Sequence, residues 1–250
     1  MKILASDYDG TLRINGTVSD ADRAAIARFR EKGGKFGIVT GRGYVTITAE
    51  LQRHRLDCDF LICNNGSLIF ENGCVRHSVP IDGVWLKPLV DRVVAAGGMY
   101  AAINCLDRRI CAIYGKHADE AEGDDFIALS HLHRLAQFNQ VDTRLDSDEA
   151  ARRLSSEINA AFDGVLTAHS NGSCVDTVAY GVGKAVGLAT YLQLCGGQAQ
   201  DLVTVGDNFN DVDMLEAFGG YVLESGNPAV IEKIGRTCKS VAALLGENVR

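Results

Sequence analysis

Apolar and polar positions along the first fifty residues follow two periods in turn. A short apolar run from Ile3 to Ala5 gives way to a glycine-bearing loop; Ala25, Ile26 and Phe29 then recur at helical spacing, and a second apolar run follows from Phe36 to Val39. The runs read as buried strands and the spaced set as the inward stripe of an amphipathic helix. Ser19 with Asp22 three residues on resembles a capping box, and Gly33 supplies a stop, so the pattern predicts a helix over residues 19–32. Strand, helix and strand in succession form a βαβ unit and imply a parallel sheet.

Residues 67–77 read as a hairpin, with Leu68, Ile69 and Phe70 on one arm and Asn72 and Gly73 at a turn that needs positive φ. The character then changes. Helices are predicted near residues 87–96 and 147–162, with short β-rich runs at 99–114 and 137–143. This stretch reads as an inserted α+β domain over 82–181, and 1–81 with 182–250 as the surrounding α/β domain. After Gly183, Ala185, Leu188, Ala189 and Leu192 mark another helix, ended by Gly196 and Gly197. A strand at 202–205, a strand at 221–223, a helix begun near Pro228 and a last helix near 240–245 complete the alternation.

Composition narrows the possible functions. The 250 residues suffice for a sizeable core, and 46% hydrophobic with 23% charged residues is ordinary for a globular chain. A net charge of −7, with 25 scattered Lys and Arg, gives no basic footprint for nucleic acid or anionic lipid. Eight cysteines without C-x-x-C spacing read as structural thiols. Lys2, Ile3 and Leu4 lead straight into Asp7, which leaves no room for a signal-peptide core, and no apolar run has membrane-spanning length; a cytoplasmic location is expected.

The candidate chemistry lies in loops that directly follow strands, where open α/β sheets present a ligand crevice. Asp7 and Asp9 in D-Y-D-G-T are two apart, so extended backbone points both carboxylates into one volume. Either a bound Mg²⁺ offsets their repulsion, or one carboxyl holds a proton and serves as an acid. By itself D-x-D-G is an ordinary turn. Thr40, Gly41 and Arg42 add a hydroxyl, backbone N–H groups and a cation after the second strand, although a lone T-G-R is usually a loop. Lys184 opens a helix after Gly181 and Gly183, but Val178 and Ala185 break the P-loop pattern, and a single lysine there is by default solvated. In G-D-N-F-N-D, Asp207 and Asp211 add acceptor oxygens; Phe209 excludes an EF-hand loop, and helix capping is the plain alternative.

D-Y-D-G-T, T-G-R, Lys184 and G-D-N-F-N-D, in that order, resemble the four signature motifs of haloacid dehalogenase (HAD) superfamily phosphatases. With C-N-N-G-S at Cys63 to Ser67 and a roughly hundred-residue insert, the chain resembles the Cof-type branch with a class IIB cap. The resemblance implies a Rossmann-like α/β core with a parallel sheet, an α+β cap acting as a lid, and Mg²⁺-dependent hydrolysis of a small phosphorylated metabolite, sugar phosphates foremost. It assigns Asp7 as nucleophile and Asp9 as acid and base. Thr40, Gly41, Lys184 and Asn210 would hold the phosphoryl oxygens, with Tyr8 and Arg42 also on the substrate side. The metal would sit on Asp7, the Asp9 carbonyl and Asp207, supported by Asp211. A sugar phosphomutase and a non-catalytic phosphometabolite-binding module are the rival functions, the second disfavoured by the crowded carboxylates. In the insert, Asn104, Arg108, Arg109, His131, His133 and Arg134 could reach substrate, although each alone is by default a solvated surface residue, and Trp85 and Tyr100 read as packing rather than sugar platforms.

Overall fold

The structure, a computed structural model, describes residues 2–114 and 125–247. Residues 1 and 248–250 of the expected core, and 115–124 of the expected insert, lie outside the described residues. The chain divides into two units: Met1–Thr40, Ile47–His77 and Gly183–Arg250 form one, Gly41–Thr46 and Ser78–Val182 the other.

The first unit is built on an eight-stranded sheet in the order Thr237–Cys238, Tyr221–Leu223, Leu202–Gly206, Ile3–Ser6, Lys35–Val39, Phe60–Cys63, Leu68–Glu71, Cys74–Ser78. The first six strands run parallel, and Leu68–Glu71 pairs antiparallel to Phe60–Cys63. Ile3–Ser6 and Phe60–Cys63 are buried at every position, as a sheet covered on both faces requires. The chain leaves Ile3–Ser6 for Lys35–Val39 on one side and returns much later as Leu202–Gly206 on the other. The strand order therefore reverses at Ile3–Ser6, and loops leaving the carboxyl ends on either side diverge around a crevice there.

The helix Asp20–Glu31 starts where its cap predicts: Ser19 Oγ accepts from the Asp22 N–H at 3.0 Å and donates to the Asp22 carboxylate at 2.6 Å. The helix Tyr44–His54 is absent from the sequence reading. Val45, Thr46, Ile47 and Thr48 are β-branched and poor helix formers, and they obscure an inward set of Ile47, Glu50 and Leu51. The hairpin turn carries Asn72 and Gly73 at φ 52° and 75°, as expected of that pair.

The second unit holds a six-stranded sheet ordered Asp125–Ala128, Arg108–Ile113, Ala101–Cys105, Gln140–Arg144, Cys174–Ala179, Leu166–Asn171. The helices Leu86–Ala95 and Asp148–Ala161 contribute Leu89, Val93, Leu154 and Ile158 to a core shared with Ile103, Val141 and Val175 of the sheet. Asn104, Gln140, Asp142, Asp176 and His169 stand in cross-strand register and alternate with that apolar set. Two residues expected in solvent are not there. Asn104 is buried and donates to Asp142 Oδ1 at 2.7 Å, and half-buried Arg109 donates to the same oxygen at 2.9 Å, because the strand period turns both toward that half-buried carboxylate acceptor. His131 and His133 are exposed, and Trp85 packs edge-on to Phe162.

In the first unit the Phe60 and Tyr191 rings stack at 3.9 Å, and Tyr191 Oη donates to Glu71, which also takes Lys35 at 2.8 Å and Arg76 at 2.9 Å. Hydrogen bonding from Lys35 holds the Glu71 carboxyl below its usual range. Gly37 lies under this stack: a Cβ there would meet the Phe60 ring at 2.2 Å. Gly37→Ala is therefore expected to lower stability by about 1–3 kcal/mol, read as a lower urea midpoint at unchanged slope. Adding Phe60→Leu, which opens the space, should make the pair less costly than the two single changes summed.

Candidate functional site

The site grows from the register of the central strands. Ser6 lies opposite Val205 and Ile38, and the Asp7 N–H continues the ladder to the Val205 carbonyl at 2.9 Å. The first residue beyond Ile3–Ser6 and the loop beyond Leu202–Gly206 are thereby brought side by side. Gly10 makes the approach closer still: it sits at φ 91°, and a Cβ there would lie 2.4 Å from Asp207 Oδ2. Thr11 Oγ1 donates to Asp207 Oδ1 at 2.7 Å, joining the two loops directly.

Lys184 arrives from a third direction. Asn64, Asn65 and Gly66 take successive positive φ angles of 51°, 52° and 110°, a strained path of a kind retained where surrounding packing fixes it. Gly66 then packs on the Gly183 carbonyl and on Gly187, since a Cβ on Gly66 would lie 2.3 Å from that oxygen. Asp213 accepts from the Ala185 N–H at 3.1 Å at the start of the helix Lys184–Cys195. So anchored, Lys184 is 1% exposed and its Nζ donates to Asp7 Oδ1 and to Asp211 Oδ1, each at 2.6 Å. Asp211 Oδ2 accepts in addition from the Asp207 and Asn208 N–H groups at 2.9 and 3.1 Å, so both of its oxygens are engaged.

Asp7, Asp207 and Asp211 each offer an oxygen within 4.8 Å of the others. Three carboxylates facing one ammonium leave a surplus of two negative charges if all ionise, and the titration behaviour reflects that crowding. Burial first, then the charges of Asp211 and Asp207, push the Asp7 carboxyl up to about 8 against the pull of Lys184. Burial, with Asp211 and Asp9 adding, pushes Asp207 up to about 6, opposed by the Thr11 hydrogen bond. For Lys184, burial works against the charged form, and the Asp211 and Asp7 carboxylates outweigh it, so the ammonium is held. The donor set is all oxygen, without His or Cys, and its surplus charge matches a hard divalent cation such as Mg²⁺.

The remaining sequence candidates divide. Thr40 is buried at the end of Lys35–Val39, its backbone fixed by the Ile62 carbonyl and the Asn65 N–H. Asn210 has a buried Oδ1 without a hydrogen-bond partner among the described residues; the amide turned over would present its donor instead. Asp9 stands apart from the three-carboxylate group, with its side chain 37% exposed and paired to Arg13 at 3.1 Å. Tyr8, expected on the substrate side, is a core residue: strand alternation turns it away from Asp7, and it is fully buried with its hydroxyl 3.5 Å from Glu50. Gly41 and Arg42 group with the second unit, where Gln140 Nε2 donates to the Gly41 carbonyl at 2.8 Å and the Arg42 charge acts on Cys174. Arg13 and Glu50 are absent from the sequence reading, and Thr11 stood there only as the last residue of D-Y-D-G-T, without a role of its own. The one signal for Glu50 was its place between Ile47 and Leu51 on an inward helical stripe.

Residues 4–243 match the family model described as haloacid dehalogenase-like hydrolase. Among characterised proteins, the chain is 23% identical to the 5-amino-6-(5-phospho-D-ribitylamino)uracil phosphatase YbjI of Escherichia coli, over 92% of this chain and 88% of that one. It is 26% identical to the pyridoxal phosphate phosphatase YbhA of the same organism, over 92% and 90%. Among solved structures, a haloacid dehalogenase-like hydrolase from B. subtilis superposes with a TM-score of 0.83 at 17% identity, over 99% of this chain and 100% of that one. The HAD subclass IIB sugar phosphatase BT4131 gives 0.80 at 17% identity, over 98% and 97%.

The raised carboxyl of Asp7 has a consequence for stability without added metal. Between its unfolded value of 3.8 and its folded value of about 8, the folded state keeps a proton that the unfolded chain has released, so this group makes stability fall as pH rises through that window. Asp7→Asn cannot titrate. In chelated buffer its thermal midpoint is expected to gain on the parent steadily from about pH 4 to about pH 8; a difference that stays flat with pH would show that Asp7 is not the strained group.

Proposed function

Starting from the fact that the chain belongs to the haloacid dehalogenase-like hydrolase family and is a hydrolase of phosphoric monoesters, we propose that Asp7 is its nucleophile and Asp9 its acid and base. An Asp7 carboxylate oxygen attacks phosphorus as the bond to the leaving oxygen breaks, and Asp9 gives that oxygen a proton. The resulting aspartyl phosphate is cleaved by water, whose proton returns to Asp9, releasing inorganic phosphate and restoring Asp7. Lys184 holds phosphoryl oxygens and offsets charge as transfer proceeds, joined by Thr40, Gly41 and Asn210. Arg42 is kept as a substrate contact and Tyr8 is not. The observation that carries the reading is Lys184 Nζ at 2.6 Å from both Asp7 and Asp211, in a buried group completed by Asp207 at the sheet's switch point.

Mg²⁺ belongs to the same proposal. Asp7, Asp207 and the Asp9 carbonyl would hold it, with Asp211 orienting the loop, because both Asp211 oxygens are already engaged. When bound, the ion supplies positive charge that favours ionised Asp7 and the approach of a phosphoryl group. The first unit is assigned as the catalytic core and residues 82–181 as a class IIB cap.

The relatives named above act on a phosphoribityl compound and on pyridoxal phosphate, and a structural neighbour is a sugar phosphatase. All are phosphate esters of small polar alcohols, so the substrate proposed here is of that kind, a sugar phosphate foremost. Such leaving groups are poor unless protonated, which gives Asp9 its purpose. Eight free thiols and the absence, among the described residues, of a helix long and apolar enough to cross a membrane accord with the cytoplasmic setting proposed.

Asp7→Asn is expected to cut turnover of 4-nitrophenyl phosphate by more than about 10³-fold with circular dichroism unchanged. EDTA should abolish parental activity and Mg²⁺ restore it, with Asp207→Asn raising the Mg²⁺ needed for half-activation about tenfold or more. Activity that survives Asp7→Asn or exhaustive chelation refutes the assignment.

A further inference from the structure

Asp9 is held differently from the other carboxylates. Its Oδ1 accepts from Arg13 Nη1 at 3.1 Å, outside the group gathered around Lys184. Arg13 in turn is fixed from two sides. Its N–H donates to the Tyr8 carbonyl at 2.7 Å and its own carbonyl accepts from Gly10 at 3.1 Å, curling the loop so that residue 13 returns beside residue 9. Its Nε lies 2.9 Å from Glu50 Oε2, a charge pair rather than an aligned hydrogen bond. Glu50 is a buried carboxylate between Ile47 and Leu51 on the helix Tyr44–His54. It also faces Arg53 at 2.9 Å, Tyr8 Oη at 3.5 Å and His54 Nε2 at 3.7 Å.

A carboxylate on the apolar stripe of a helix costs free energy unless partners need it there. Here the charge reaches, through one guanidinium, the residue proposed as acid. We propose that Glu50 and Arg13 form a positioning relay that fixes the Asp9 carboxyl for proton transfer to the leaving oxygen; the inference rests on the assignment of Asp9 as that acid. With 37% of its side chain exposed, Asp9 has room for other rotamers. Displacement of a reacting group by about 1 Å can cost on the order of 10²-fold. Arg13 touches neither nucleophile nor phosphoryl group in this scheme, so its effect is confined to the proton transfers made by Asp9, of which the one to the leaving oxygen falls in the first half of the reaction.

That confinement gives a readout that a merely structural role would not move. An acid matters in proportion to the basicity of the leaving oxygen, so a misplaced Asp9 penalises phenyl phosphate far more than 4-nitrophenyl phosphate, whose phenolate leaves readily. kcat/KM, which reports steps through formation of the aspartyl phosphate, is measured along a series of phenyl phosphates from 4-nitro to unsubstituted. Arg13→Gln and the double variant Arg13→Gln/Glu50→Gln are expected to lose on the order of 10²-fold on phenyl phosphate and less than about threefold on 4-nitrophenyl phosphate. Arg13→Lys, which keeps a cation, should recover part of the loss. The double variant leaves neither charge of the Arg13–Glu50 pair behind, so it remains informative if a single change unfolds the chain, as thermal melts will show. Equal losses along the series, or none, overturn the relay. Asp9→Asn separates the two claims: a steep leaving-group dependence there with a flat one in the Arg13 variants refutes the relay alone, whereas unimpaired phenyl phosphate turnover by Asp9→Asn refutes the acid assignment beneath it.

Discussion

Burial of one ammonium among three carboxylates is the constraint around which the first unit is arranged. Lys184 is almost fully withdrawn from water, and an unpaired charge in that position would be strongly destabilising. Asp7 and Asp211 answer it at 2.6 Å each. The answer overshoots, because Asp207 adds a third carboxylate within 4.8 Å; burial above all, and then the neighbouring carboxylate charges, raise the Asp7 and Asp207 carboxyls. A protein folded only for stability would gain from removing one of these acids. Retaining all three makes sense where a cation and a phosphoryl group share the space and exchange the surplus for binding.

The rest of the unit serves that convergence through close backbone approach. Gly10 admits the Asp207 carboxylate, and Gly66 admits the Gly183 carbonyl at the head of the lysine's helix; in each case a single methyl group would separate the two loops. The parallel sheet supplies coarse alignment by ending Ile3–Ser6 and Leu202–Gly206 in register. The glycines supply the last ångströms. Around this rigid group Asp9 is the exception, tied by Arg13 to the helix Tyr44–His54 rather than to Lys184. The proposed nucleophile and the proposed acid, anchored to different parts of the scaffold, can each be held where its own bond changes would occur.

In the second unit the polar side chains bond largely to one another. Asp142 takes donors from Asn104 and Arg109, and Asn139 spans the Leu106 N–H and the Ser78 hydroxyl, so the polar positions of the sheet are largely committed to one another. The apolar positions of the same strands pack on the helices Leu86–Ala95 and Asp148–Ala161. A sheet whose two faces differ this sharply has its register fixed, since a slip of one residue would exchange them.

The sequence by itself determined the element order of most of the chain, the α/β class and the loops that carry chemistry, because strand alternation, helical stripes, caps and glycines are local signals. Ser19 with Asp22, and Asn72 with Gly73, did in the fold what their chemistry dictates in isolation. The helix Tyr44–His54 escaped because its β-branched start contradicts its tertiary role, and with it went Glu50. Tyr8 was misplaced because a residue between two aspartates looks accessible until packing turns it inward. Which carboxylates meet Lys184, which one meets Arg13, and how far Asp7 is pushed from its ordinary ionisation were decided by tertiary structure alone. They depend on distances between residues as far apart in the chain as Asp7 and Asp211, and on exclusion of water, neither of which has any local trace in the chain.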